Sequence, residues 1–155
     1  MDHVFIVKWL HVLSSTVLFG TGLGTAFFMW SAHRTGDPAT VAAVARLVVK
    51  ADWLFTATSG VVQPLTGLML IHGFGYGLTE RWIVWSAGLY LLALACWLPV
   101  VKLQITMRDV AAEAARTNAP LPPRYHHAAR LWFALGWPAF IALLSVFYLM
   151  ITRPA

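Results

Sequence analysis

His11 and Gln63 are polar side chains set deep in apolar sequence, and they are the residues of this chain best placed to do chemistry. A neutral imidazole is a common axial ligand of haem iron. His11 lies roughly 10 Å along a helix from Val4, at about 1.5 Å per residue. That depth demands a partner, and two readings follow: iron ligation, or a hydrogen bond to a Ser or Gln of a neighbouring helix. Gln63 precedes Pro64, whose missing N–H frees the Gly60 carbonyl one turn earlier. Its amide could satisfy that carbonyl or line a polar pocket.

At about 100° per residue, one stripe of the first apolar segment collects His11, Ser14, Ser15, Gly22 and Thr25, with Leu18 and Met29 on the same face. In the second segment Asp52, Thr56, Ser59, Gly60, Gln63, Thr66 and Gly67 share one broad arc. Polar stripes are costly against lipid, so both are expected to turn inward, against each other or a shared cavity. A cofactor between them would meet His11, Ser15, Gln63 and Thr66, with His11 the metal ligand. Gly20 and Gly24, four apart on the opposite face, offer a small-residue surface for a homodimer or for packing inside the monomer. His72 returns to the level of His11 but points about 180° from the Gln63 stripe, and reads as an interfacial residue. His126 and His127 read as headgroup neighbours, and Cys96 as a buried small hydrophobe. Asp52 reads as an interface residue, which leaves no carboxylate at mid-membrane and weakens any ion-coupled transport reading. Met29, Met69, Met107 and Met150 are too dispersed for a copper carrier. No phosphate loop, Cys pair, zinc-type His spacing or Ser/His/Asp set is present, so no catalytic residue can be named.

Four long apolar stretches must position these groups. They cover about residues 4–31, 51–72, 82–103 and 130–152, each close to the ~20 residues that cross the hydrocarbon as a helix. Of the 155 residues 59% are hydrophobic and 11% charged, against ~25% charged in a soluble domain. The expected fold is all-α: one polytopic four-transmembrane-helix bundle over 1–155, with helix extensions into the cytoplasm and a retained first span. Lys8, Arg81 and Arg153 fall on one side of it. Arg34, Arg46, Lys50, Lys102, Arg108, Arg116, Arg124 and Arg130 fall on the other, a split of 3 against 8. The excess assigns loops 32–50 and 104–129 to the cytoplasm and both termini to the outside, which in a Gram-negative host is the periplasm. The basic residues therefore flank spans, and nucleic acid is excluded as a partner. Asp37-Pro38 should cap a second helix that runs unbroken into the membrane. Lys102–Arg116 should extend the third helix as far as Asn118-Ala119-Pro120, and Gly136-Trp137-Pro138 should bend the fourth.

Trp9-Leu10-His11-Val12-Leu13, Val62-Gln63-Pro64-Leu65-Thr66-Gly67, Cys96-Trp97-Leu98-Pro99-Val100-Val101, Leu103-Gln104-Ile105 and Met107-Arg108-Asp109 resemble a bacterial family of predicted integral membrane proteins, domain of unknown function 2269. The resemblance spans nearly the whole chain and implies a four-helix inner-membrane protein. The early His with Pro64, Thr66, Gly67 and Leu68 is more distantly similar to HemJ-type protoporphyrinogen oxidases and to copper-resistance D-like membrane proteins. That similarity implies haem b with His11 as axial ligand. The third helix departs from the HemJ-type opening Trp-Leu-His-Val-Lys: Trp82-Ile83-Val84-Trp85-Ser86 has Val84 and Ser86 where His and Lys stand.

Two functions compete on these grounds. One is an inner-membrane redox protein holding haem b, with the lipid bilayer around it and a membrane electron carrier as partner. If it is an enzyme, it is a haem-dependent membrane oxidoreductase of the protoporphyrinogen-oxidase-like type. The other is a non-enzymatic accessory or small binding subunit without a cofactor. The family resemblance tips the reading toward haem.

Overall fold

The computed structural model describes residues 2–154, and every regular element in them is helical. Five helices follow one another: α1 (Asp2–Thr35), α2 (Pro38–Ala51), α3 (Ala57–Phe74), α4 (Arg81–Arg116) and α5 (Pro123–Thr152). A single π turn over Asp52–Thr56 joins α2 to α3 in one continuous rod. Four helical rods are thus long and apolar enough to cross a membrane, as the apolar stretches require.

Local chemistry sets the ends. Asp37 caps α2 by accepting the Thr40 amide at 2.8 Å, with Pro38 in the first turn, the preferred place for proline. Gly75 ends α3 in the left-handed conformation at φ +72°, which glycine adopts at no steric cost. The α4 extension stops at Arg116, and Asn118 beyond it sits at φ +50°. α5 begins at Pro123, seven residues before the apolar stretch that announces it, because Pro122-Pro123 start a helix as readily as they stiffen a linker. α4 and α5 continue through Pro99 and Pro138.

Two kinds of interior result. At the basic end, Met29 and Ala32 of α1, Val41, Ala42, Ala45 and Val48 of α2, Met107 and Ala111 of α4, and Tyr125, Ala128 and Ala129 of α5 form one apolar core. Cys96 is buried, as its apolar surroundings suggest. Toward the termini end, the buried residues of α3 are instead Ser59, Gln63 and Thr66, all polar. Leu65, Leu68 and Met69 on the same helix are more than half exposed. This is the inverted pattern that a lipid solvent selects. Phe19 of α1 bridges to α5 by stacking on Phe140, with ring centroids 5.2 Å apart. Trp82 and Trp132, each near the start of an apolar stretch, are buried, and the Trp82 indole donates to Glu80 Oε2 at 2.7 Å.

The candidate site between α1 and α3

The inward residues of the α2–α3 rod are Val41, Ala45, Val48, Asp52, Thr56, Ser59, Gln63 and Thr66. Their steps run 4-3-4-4-3-4-3, and the consecutive fours fall on the π turn. The steps average about 3.6 residues, the α-helical repeat, so the row keeps to one face of the rod through that turn. The polar stripe of α3 therefore stays on the face that meets α1.

Here α1 and α3 are joined by side chains. His11 Nδ1 lies 2.7 Å from Thr66 Oγ1. Gln63 Nε2 donates to the His11 carbonyl at 2.7 Å and to Ser14 Oγ at 2.6 Å. Thr66 Oγ1 is also 2.7 Å from the Val62 carbonyl, one turn back on its own helix. A hydroxyl has one proton but two lone pairs. With that proton given to Val62, the Thr66 oxygen accepts the Nδ1 proton of His11, and the imidazole is the neutral Nδ1–H tautomer. Nε2 then carries the free lone pair. A Cβ built on Gly67 would lie 3.5 Å from His11 Cε1, an ordinary contact, so the ring packs directly over Gly67 of α3.

The sequence-derived residues separate accordingly. His11, Gln63 and Thr66 come together. Ser15 gives its hydroxyl to the Val12 carbonyl of its own helix at 2.7 Å, and Ser14 takes the place beside Gln63. The Gly60 carbonyl freed by Pro64 is satisfied by the Tyr90 hydroxyl of α4, which leaves Gln63 available to α1. Tyr90 carries no motif, and nothing in the sequence points to it. His72 is exposed. Gly20 and Gly24 have no atom within 4 Å of an added Cβ, so the described residues do not pack on that face, and Gly22 on the His11 stripe is open as well.

A second polar group lies further down the same inward arc. Asp52 is only 4% exposed and faces protein, as its place on the inward arc requires. Thr56 Oγ1 donates to its Oδ1 at 2.9 Å, and Gln104 of α4 is buried as well. Among the described residues no three His, Cys, Asp or Glu side chains converge. The two hollows near the termini end are lined by Arg81, Trp82 and their neighbours, not by His11.

No curated protein and no solved structure matches the chain. The family model described as a predicted integral membrane protein (DUF2269) matches residues 5–154. A match over nearly the full length, on a chain with four membrane-length helices, shows that the protein belongs to that family of integral membrane proteins.

Proposed function

We propose that the α1–α3 face is a haem b site of an inner-membrane redox protein, with His11 as axial ligand. The observation that carries this reading is the imidazole held through Nδ1 by Thr66, which leaves Nε2 to donate. Metal-ligating histidines nearly always give their other ring N–H to an oxygen acceptor, which fixes the tautomer and raises ligand basicity. The donor set therefore fits one axial position of a haem. Gln63 and Ser14 clamp the backbone at His11, so the ring is oriented from both sides. Ser15 lies on the same stripe of α1 and would border the group without touching the His11 network. The bound haem would supply one-electron chemistry, and the protein would set ligation, polarity and access. With His72 exposed elsewhere on α3, this chain provides one ligand. A membrane electron carrier is the partner such a site requires. The 3-to-8 split of basic residues supports an orientation with both termini periplasmic.

The test is an absorption spectrum of the purified protein, oxidised and dithionite-reduced, beside His11→Ala. The expected result is a Soret band with sharp reduced α and β bands that the variant loses. A haem spectrum unchanged in the variant would remove His11 as ligand. Colourless protein from haem-replete cells would favour the accessory-subunit reading, in which His11, Thr66 and Gln63 only tie two helices together.

A further inference from the structure

At the termini end two hollows meet at the start of α4. The larger is an open groove of about 610 Å³ between α4 and α5, with Trp85, Leu89, Leu144 and Leu149 on its apolar wall. The other, of about 580 Å³, is lined by Tyr76, Glu80 and Arg153, and the two share Arg81 and Trp82. Arg153 donates to the Tyr76 hydroxyl, and its guanidinium lies over the Tyr76 and Trp82 rings, 5.4 and 5.8 Å from their centroids. Glu80 is the carboxylate of this wall, and both its oxygens are taken. Its Oε1 accepts the Gly77 amide at 2.9 Å and its Oε2 the Trp82 indole at 2.7 Å. Among the described residues the ion pairs are Arg108–Asp109 and Arg116–Glu113, both toward the basic end. Arg81 and Arg153 thus have no carboxylate partner among those residues. With two guanidiniums and one carboxylate, the described lining carries one net positive charge.

We propose that this groove binds one anionic phospholipid, its phosphodiester on Arg81 and Arg153 and an acyl chain along the wall between α4 and α5. A phosphodiester carries one negative charge, which balances the lining, and guanidinium is the side chain best shaped to grip phosphate oxygens. Depth agrees with this placement. Arg81 stands immediately before the apolar stretch that opens at Trp82, at the headgroup level where indole and phenol rings also gather. Leu89 lies eight residues further on, roughly 12 Å deeper at about 1.5 Å per residue, so the apolar wall runs where an acyl chain runs. Three occupants differ in what they satisfy. A soluble anion meets the arginines and leaves the apolar groove unused. A zwitterionic lipid fills the groove and brings its own cation to the arginines. An anionic phospholipid satisfies both. The site is separate from His11 and does not depend on haem.

The experiment is a native mass-spectrometry titration of the detergent-purified full chain. The probes are phosphatidylglycerol and phosphatidylcholine with identical oleoyl chains, and glycerol phosphate as the soluble anion. The expected result is one phosphatidylglycerol adduct per chain, bound roughly tenfold more tightly than phosphatidylcholine, the scale of one charge-assisted hydrogen bond. The double variant Arg81→Gln with Arg153→Gln should lose that preference, and Arg124→Gln with Arg130→Gln at the basic end should keep it. Equal affinity for the two lipids in the wild-type protein would overturn the proposal. So would a preference undiminished by Arg81→Gln with Arg153→Gln, since the anionic lipid would then bind elsewhere. Glycerol phosphate binding as tightly as phosphatidylglycerol would overturn it in favour of a soluble anion. Should the double variant fail to fold, Arg81→Gln alone is read by the same criteria, because Arg81 is exposed and its side chain makes no hydrogen bond among the described residues.

Discussion

Thr66 matters most through a single proton. Its hydroxyl is shared between the Val62 carbonyl and the His11 ring, so it decides which imidazole nitrogen is free. Thr66→Val keeps the shape and removes the acceptor. If His11 ligates iron, haem affinity should fall roughly 10–100-fold, the range for losing the oxygen partner of a ligating histidine. Haem titration of the apoprotein reads this, and an affinity equal to wild type would show that Thr66 does not tune the ring. Gln63 plays a different part, since its contacts are to the α1 backbone carbonyl and Ser14 and not to the ring.

At the scale of elements, Pro64 and Tyr90 form a unit on different helices. The proline removes the N–H that Gly60 would accept, and the tyrosine hydroxyl replaces it from α4. Tyr90→Phe should therefore destabilise the fold by about 1–3 kcal/mol, the cost of an unsatisfied buried carbonyl. Pro64→Ala returns a backbone donor to Gly60. In that background Tyr90→Phe should cost much less, and a double-mutant cycle in denaturant unfolding measures the difference. Additive effects would show that the two residues act separately. The start of α2 responds to pH. The hydroxyl and then the amide of Thr40 hold the Asp37 carboxyl below its ordinary range. A depressed folded-state value means that the cap contributes fully above the unfolded pKa of about 3.9, and is lost as pH falls through the lower folded value. Protection of the Thr40 amide, taken relative to its intrinsic exchange rate, should fall in acid, and Asp37→Ala should show the low protection at neutral pH too.

Over the whole molecule, two solvents shape two interiors. The helix segments beyond the expected spans pack Met107, Ala111, Val41 and Tyr125 into an apolar core, where water supplies the hydrophobic drive. Inside the spans lipid is as apolar as leucine, so association relies on close packing and polar contacts such as those of Gln63 and Asp52. Orientation has its own test at this scale. In a Cys96→Ala background, Thr79→Cys and Thr117→Cys place single thiols in turns at opposite ends. An impermeant maleimide on intact cells should label position 79 and spare 117. The reverse pattern would invert the proposed topology.

The four membrane-length helical rods, the Asp37 cap and the inward turn of the α3 polar stripe were legible in the residues. Each depends on local chemistry or on periodicity against a uniform lipid, which a linear pattern records. The partners across those stripes were not legible. That Ser14 rather than Ser15 meets Gln63 depends on a difference of 100° about one helix axis. That Tyr90 and not Gln63 satisfies Gly60 depends on where α4 lies. Asp52 reads as interfacial when depth is counted along its own segment. Its burial follows from the inward arc it shares with Thr56 and Ser59, whereas the hydrogen bond from Thr56 is shown only by the structure. Composition and spacing decide which residues must leave the lipid, and the relative placement of whole helices decides what each one meets there.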